Sequence, residues 1–393
     1  MIGLFIIPRK NLLRSFKKAI QQPHYACKVF IKRFSSYITY LFGKGYSAPP
    51  ETISLFLTHR CNLRCPMCGQ WGEKGSFKLL DDKEIKEELS FDEIKSLLGD
   101  LNGLKPNITL FGGEPMLYKN WIGVVESVKR LGMRCNIVTN GVFLKKYVED
   151  IIRVGLDEII FSLDGPEEIH DRMRGVKGTF KKAMDGFKSL RDIKKQRGIN
   201  KPIITINCSI YEFNYNYLEK VVHVGEEMGA DAITFHHLLF LSKDICDKHN
   251  EFFESEFGNR CKDWYGFVKD KLPAIDVDRL LEEMIRIKNR KSSINISFYP
   301  NFSNDEIRKY YTDWEFESTS YSNRCLSLWM TAYIFPDGSV RPYHSMEFVP
   351  GNIKDRRFTE IWNCEKFRKY RRTVKRTKRF PVCAKGCTEL YRY

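Results

Sequence analysis

The chain has 393 residues, 42% of them hydrophobic, with 65 Lys and Arg against 49 Asp and Glu, a net charge of +16. That is enough apolar material for a sizeable core, and more length than one ordinary domain needs, although a single α/β barrel also reaches it. No run of 18 apolar residues occurs, which argues against a spanning helix, and the apolar run before Pro8 is too short for a signal-peptide core, so a cytoplasmic protein is expected.

Residues 1–50 carry nine Lys or Arg and no acid, and residues 354–379 carry twelve basic against three acidic residues, so the body is nearly neutral between two basic ends. Such ends suit lipid headgroups, a nucleic acid or a phosphorylated substrate, or serve only as solvated faces. Near the start, Leu4, Phe5, Ile6, Leu12, Leu13, Phe16 and Ile20 interleave with Arg9, Arg14, Lys17 and Lys18. This pattern predicts a helix able to lie on an anionic membrane, at its inner surface, through residues 1–45, or to cover part of the core.

From residue 51 short β-rich runs alternate with helix-period segments. ETISLFLT (51–58) reads as a buried strand, and Ser90-Phe91-Asp92-Glu93 as a capping box opening a helix with Ile94, Leu97, Leu98 and Leu101 on one face. NITLF (107–111), CNIVT (135–139), EIIFSL (158–163), PIITINCSI (202–210) and DAITFH (231–236) are further strands. Helices are expected near 121–131, 144–154, 179–196 and 216–228. Six βα-type repeats argue for parallel strands with right-handed crossovers, hence an α/β fold: a partial (β/α)6 TIM-type barrel, with an open doubly wound sheet as the alternative. The repeat fades after residue 240. Residues 241–320 read as a bridging helical region, with one clear helix near 276–290. A small C-terminal α+β unit over 321–393 contains a hairpin about Pro336-Asp337-Gly338-Ser339.

Cys61, Cys65 and Cys68 follow the first strand at C-x3-C-x2-C spacing, while Cys27, Cys135, Cys208, Cys246 and Cys261 stand alone, as small hydrophobes do. Soft thiolates select zinc or an iron–sulfur cluster, and three thiols leave a cubane with one open iron. A zinc ion completed by a remote ligand is the competing reading. Each of the next three strands also ends in a motif: FGGEP (111–115), Thr139-Asn140-Gly141, and FSLDG (161–165) followed by HDRMRG (170–175).

Over residues 51–240 this set resembles the radical S-adenosylmethionine (radical SAM) enzymes. The resemblance implies a [4Fe–4S] cluster on Cys61, Cys65 and Cys68, with S-adenosylmethionine chelating the open iron through its amino and carboxylate groups. One electron from the cluster would break the S–C5′ bond, and the 5′-deoxyadenosyl radical would abstract hydrogen from a C–H bond. Gly112, Gly113 and Glu114 would meet the amino group, Ser162 and Arg174 the carboxylate, and Met67 would pack beside the adenine, with Asn140 a further contact. Asp164 with Gly165 reads equally as turn chemistry. An electron donor such as flavodoxin or ferredoxin is implied.

Cys325, the PDG turn, GNI (351–353), IWN (361–363) and Cys383/Cys387 resemble the auxiliary-cluster extension called SPASM, or its shorter twitch form. The match departs from the pattern. Tyr343 stands where a cysteine is expected, and the last pair is C-x3-C. The resemblance implies at most one auxiliary Fe–S cluster on Cys325, Cys383 and Cys387, with Tyr343, His344 or Cys364 offering a fourth ligand, or no cluster at all. Cys364 reads better as packing. His236 and His237 end the sixth strand on opposite faces, so one of them faces the barrel as a candidate substrate contact. The expected substrate is a small, sugar or lipid-linked biosynthetic molecule, with peptide and RNA modification as alternatives. Residues 1–50 are too short and basic for a peptide-recognition domain, and no RNA-binding module is recognisable, so specific nucleic-acid binding is not expected.

Overall fold

A computed structural model describes residues 23–393, so the helix expected near residues 4–20 lies outside the described residues. The alternation read over 51–240 is present. Strands β1 (Thr52–Phe56), β2 (Asn107–Phe111), β3 (Cys135–Thr139), β4 (Glu158–Ser162), β5 (Ile203–Ser209) and β6 (Ala232–His236) pair in that order, all parallel. Helices return the chain between strands, and their starts are locally encoded. At Phe91–Leu101, the Ser90 hydroxyl accepts from Glu93 N at 3.2 Å while Ser90 N donates to the Glu93 carboxylate at 2.7 Å.

The period of two decides which face of the sheet meets the helices. Ile108, Leu110, Ile137, Ile159, Phe161 and Ile206 are fully buried beneath them. Their neighbours Thr109, Asn136, Thr205 and Asn207 are half-buried on the opposite face.

The stretch 241–320, expected to be a helical bridge, holds a seventh parallel strand. Here β7 (Asn295–Tyr299) pairs with β6, Ala232 opposite Asn295, after the expected helix at Val277–Asn289. The alternation in NISFY was a signal, but charged and aromatic surroundings concealed it. The expected hairpin forms from β8 (Thr331–Ile334) and β9 (Ser339–Arg341), with Tyr333 opposite Arg341. However, β8 also pairs in parallel with β1, Thr52 opposite Thr331. The C-terminal unit is therefore built onto the barrel's own edge, giving one ladder in the order β10-β9-β8-β1-β2-β3-β4-β5-β6-β7, where β10 is Gly351–Asn352.

In a flat sheet, seven inter-strand steps of about 4.8 Å would separate β8 from β7. Instead both meet one six-residue segment. Tyr299 of β7 donates to Thr388 O at 2.5 Å, and the hydroxyls of Thr331 in β8 and Tyr393 are 3.3 Å apart. The sheet is rolled, and residues 388–393 lie between its approaching ends.

One buried cation fastens the C-terminal unit to the residues ahead of β1. Arg371, fully buried on the helix Glu365–Thr377, donates to Leu328 O at 2.9 Å, Gly45 O at 3.2 Å and Asn363 Oδ1 at 3.2 Å. Its guanidinium also lies over the rings of Trp362 and Phe367, at 4.1 and 4.3 Å. Only a planar fork makes these contacts together. Arg371→Lys should therefore destabilise the fold by about 3 kcal/mol, since a buried charge loses its partners; the change is read as a fall in the denaturant midpoint, with Arg371→Ala no less damaging.

Candidate active site

The loops that leave β1, β2 and β3 are stitched together by backbone and amide contacts. Gly112 has φ +139°, and Gly113 lies so near Arg60 that a Cβ there would stand 2.2 Å from its carbonyl oxygen. Only glycine fits, and the approach lets Gly113 N donate to Thr58 O and Glu114 N to Arg60 O, both at 2.9 Å. The GGE turn is thereby pinned to the residues leading into the cysteine loop. From the other side Asn140 Nδ2 donates to Asn62 Oδ1 at 2.9 Å.

Glu114 occupies the junction, with 1% of its surface exposed. Its carboxylate accepts from Thr139 Oγ1 at 2.8 Å, Asn140 N at 2.9 Å and Met116 N at 3.2 Å. Burial nevertheless pushes its pKa up to about 7, against the pull of those donors. An ammonium group arriving here would find a half-titrated carboxylate that gains by ionising beside it.

Cys61, Cys65 and Cys68 are all free thiols, half-buried around the same loop. Burial pushes Cys61 up to about 12 and Cys65 to about 11, so both are protonated at neutral pH and would lose their protons to a metal centre. Among the described residues, no three His, Cys, Asp or Glu side chains converge closely enough to hold a single metal ion.

The fourth loop closes the group. Arg174, ending the helix Glu167–Arg174, lies 2.5 Å from the Asp164 carboxylate, and Asp164 is fully buried. Its Nη1 reaches Cys65 Sγ at 3.9 Å, and its Nε is buried without a partner. Burial opposes the charge on Arg174, but Asp164 and Cys65 outweigh it and raise its pKa. Asp164, for which turn chemistry was an equal reading, is thus the counter-ion that aims Arg174 at the cysteine loop. A Cβ on Gly175 would come 2.4 Å from Arg64 O, so the end of HDRMRG abuts that loop directly. Ser162 ends β4, half-buried, opposite Asn207 in β5, and Met67 is half-buried against the core.

The strand register separates the two histidines. His236 shares its face with Ser209 and Asn207, hence with Ser162. His237 turns to the helix side, buried, its Nδ1 3.0 Å from Tyr311 OH and its ring stacked on Phe302. Burial lowers it to about 3, the state of a neutral core histidine.

A second set of thiols lines one cavity. Cys325, Cys383 and Cys387 surround it together with Tyr343, Ser327 and Glu389. Sequence reasoning passed over Glu389, which accepts from Ser327 Oγ at 3.2 Å and whose N–H points at Cys387 Sγ at 3.3 Å. Burial raises Cys325 to about 12, and the hydrogen bond between Cys387 and Cys383 lowers Cys383. Of the suggested fourth ligands only Tyr343 lines the cavity; it is bonded to Thr388 Oγ1 at 3.2 Å. His344 packs on Phe111 of β2, and Cys364 faces Pro350 O at 3.7 Å.

Residues 55–223 match the model of the radical SAM superfamily, and residues 325–388 match SPASM, an iron-sulfur cluster-binding domain. The chain belongs to the radical SAM superfamily. It is an enzyme of that family with a SPASM domain, and the family's cofactors are a [4Fe–4S] cluster and S-adenosylmethionine, with further iron–sulfur binding in the SPASM domain.

Two relatives come from Methanosarcina barkeri. The AdoMet-dependent heme synthase is 25% identical over 82% of this chain and 85% of its own. The Fe-coproporphyrin III synthase is 30% identical, but over 48% of this chain and only 44% of its own length. The PqqA peptide cyclase of Ruegeria pomeroyi is 26% identical over 81% of this chain and 77% of its own. Among solved structures, Streptococcus suis SuiB bound to S-adenosylmethionine superposes with TM-score 0.60 at 15% identity, covering 91% of this chain and 78% of that one. The structure of anSMEcpe with bound AdoMet gives 0.54 at 17%, covering 86% and 94%. These likenesses show the radical SAM barrel fold.

Glu114 sets a pH signature for the chain freed of cofactors. Its folded pKa stands above the ordinary value of 4.5, so the stability it contributes is present in acid and lost as pH rises through about 7. Between pH 5 and pH 8 the thermal midpoint of the cofactor-free protein should therefore fall by on the order of a few degrees, and Glu114→Gln should flatten that part of the profile.

Proposed function

We propose that Cys61, Cys65 and Cys68 hold the [4Fe–4S] cluster that works with S-adenosylmethionine, and that the substrate is a small, hydroxyl-bearing polar molecule of the sugar type. The carrying observation is the contact among four strand-end loops: three free thiols, the buried Glu114, Ser162 and the Asp164-braced Arg174 all lie at or beyond the C-terminal ends of β1 to β4. When bound, the cluster and S-adenosylmethionine supply hydrogen-atom abstraction from a C–H bond, with release of 5′-deoxyadenosine.

The chain's own residues supply position. Glu114, fixed by Thr139 and Asn140, would accept a hydrogen bond from the amino group of S-adenosylmethionine. Arg174 Nε, buried and unpartnered, and the hydroxyl of Ser162 would hold its carboxylate. Met67 supplies an apolar wall. Tight packing of the GGE turn on residues 58–60 keeps water from the junction.

The substrate reading rests on the sheet face turned away from the helices. Thr109, Asn207 and His236 lie on it beside Val138 and Ile160, while Thr205 donates to Glu158 and Asn136 accepts from Arg134, so the face mixes polar groups with aliphatic ones. Peptide modification is the second reading, favoured by relatives named PqqA peptide cyclase and sporulation killing factor maturation protein SkfB.

Anaerobic reconstitution with iron and sulfide should load about eight irons per chain, and Cys325→Ala/Cys383→Ala/Cys387→Ala about four. Reduced with dithionite, the wild type should convert S-adenosylmethionine to 5′-deoxyadenosine, and Cys61→Ala should lower this at least ~100-fold. Sugars, peptides and RNA are then compared for their stimulation of that turnover. Stimulation by peptide alone would replace the sugar reading; turnover indifferent to Cys61→Ala would remove the site assignment itself.

A further inference from the structure

The helix Pro23–Phe42 presents the wrong face to solvent. Its polar and tyrosine side is held against the barrel: Ser36, Tyr37 and Tyr40 are buried, and Arg33 forms an ion pair with the buried Glu51 at 2.7 Å. Lys32 donates to the carbonyls of Lys105, Leu104 and Pro50 at 2.7, 2.9 and 3.3 Å. These bonds fix the helix about its own axis.

Outward point Cys27, Phe30, Ile31, Phe34, Ile38, Leu41 and Phe42, all exposed; Phe30 is 49% accessible, Ile31 58% and Phe42 75%. At about 100° per residue these seven positions fall within an arc of about 120°, a continuous stripe along a helix about 30 Å long. No charged residue of the helix falls within that arc. A stripe of this size on a rigid helix marks a contact surface.

Its surroundings are basic. Lys28 and Lys44 are exposed at its margins. The helix Glu365–Thr377, with seven Lys or Arg and one Glu, lies beside its C-terminal end, where Lys375 Nζ reaches Leu41 O at 2.8 Å and Arg372 reaches Lys44 O at 3.4 Å. Residues 1–22, which join the helix directly, add five basic residues and no acid. No helix among the described residues is long and apolar enough to cross a membrane. Apolar stripe, cationic margins and insufficient length together describe a segment that lies in an interface.

We propose that the outer face of Pro23–Phe42, flanked by Glu365–Thr377, docks the enzyme on an anionic lipid surface. The inference needs neither the cluster nor a substrate, so its failure leaves the proposed chemistry untouched.

The full chain is mixed with vesicles of phosphatidylcholine, with or without about a third phosphatidylglycerol, and sedimented. Binding is expected only with phosphatidylglycerol. It should weaken as salt approaches about 1 M, where the Debye length is near 3 Å. Phe30→Gln/Phe34→Gln should lower the bound fraction at least about tenfold while leaving the thermal midpoint unchanged, because both rings are exposed. Lys28→Gln/Lys44→Gln should lower binding to the phosphatidylglycerol vesicles and make what remains less sensitive to salt. Three results would each overturn the proposal: no sedimentation with either vesicle, equal binding by wild type and Phe30→Gln/Phe34→Gln, or a wild-type dimer that these substitutions disperse in the absence of lipid binding.

Discussion

The site depends on one buried carboxylate. Glu114 cannot reach water, and its two oxygens accept from a hydroxyl and an amide of the Thr139–Asn140 turn and from its own turn. Through those bonds the loop after β2 is fixed to the loop after β3, while Gly113 fixes it to the residues after β1. Three loops with little regular structure of their own thereby share one geometry. Asp164 performs a parallel service for the fourth loop by fixing Arg174. Both acids are held at a cost in desolvation, and Asp164 holds its partner within reach of Cys65. That is the arrangement expected where a cationic and anionic ligand, an amino acid moiety, must be received in one orientation.

The pairing of β8 with β1 links the two cysteine groups mechanically. The first cysteine loop leaves the C-terminal end of β1, and Cys325 leads into β8 through residues 326–330. Phe56 of β1 stacks on Phe335 just beyond β8, with ring centroids 4.8 Å apart. The second thiol cavity is therefore referenced to the first site by adjacent strands of one ladder, a stiffer connection than a hinge between domains.

Local signals in the sequence were enough for most of the core. The strands at 107–111 and 135–139 and the helix at 144–154 lie where period and punctuation put them, since apolar spacing and a terminal glycine act over a few residues. The C-x3-C-x2-C loop and the motifs ending β2 to β4 were legible for the same reason. What escaped notice was non-local. The parallel partnership of β8 with β1 joins residues some 280 positions apart, and no local pattern announces it. β7 was concealed by its charged neighbourhood, and the role of Asp164 depended on an arginine ten residues away at the far end of a helix. Glu389 entered the second cavity only because the chain folds back across the sheet ends.

The place of the helix Pro23–Phe42 carries a geometric consequence. Its anchors, Pro50, Glu51 and the carbonyls of Leu104 and Lys105, all precede β1 and β2, at the N-terminal rim of the sheet. The thiols, Glu114 and Ser162 stand at the opposite rim, a strand length of about 16 Å away for five residues. A molecule resting on that helix would hold its reactive mouth toward the aqueous side, so its reactants and its reductant would arrive from water rather than from the bilayer.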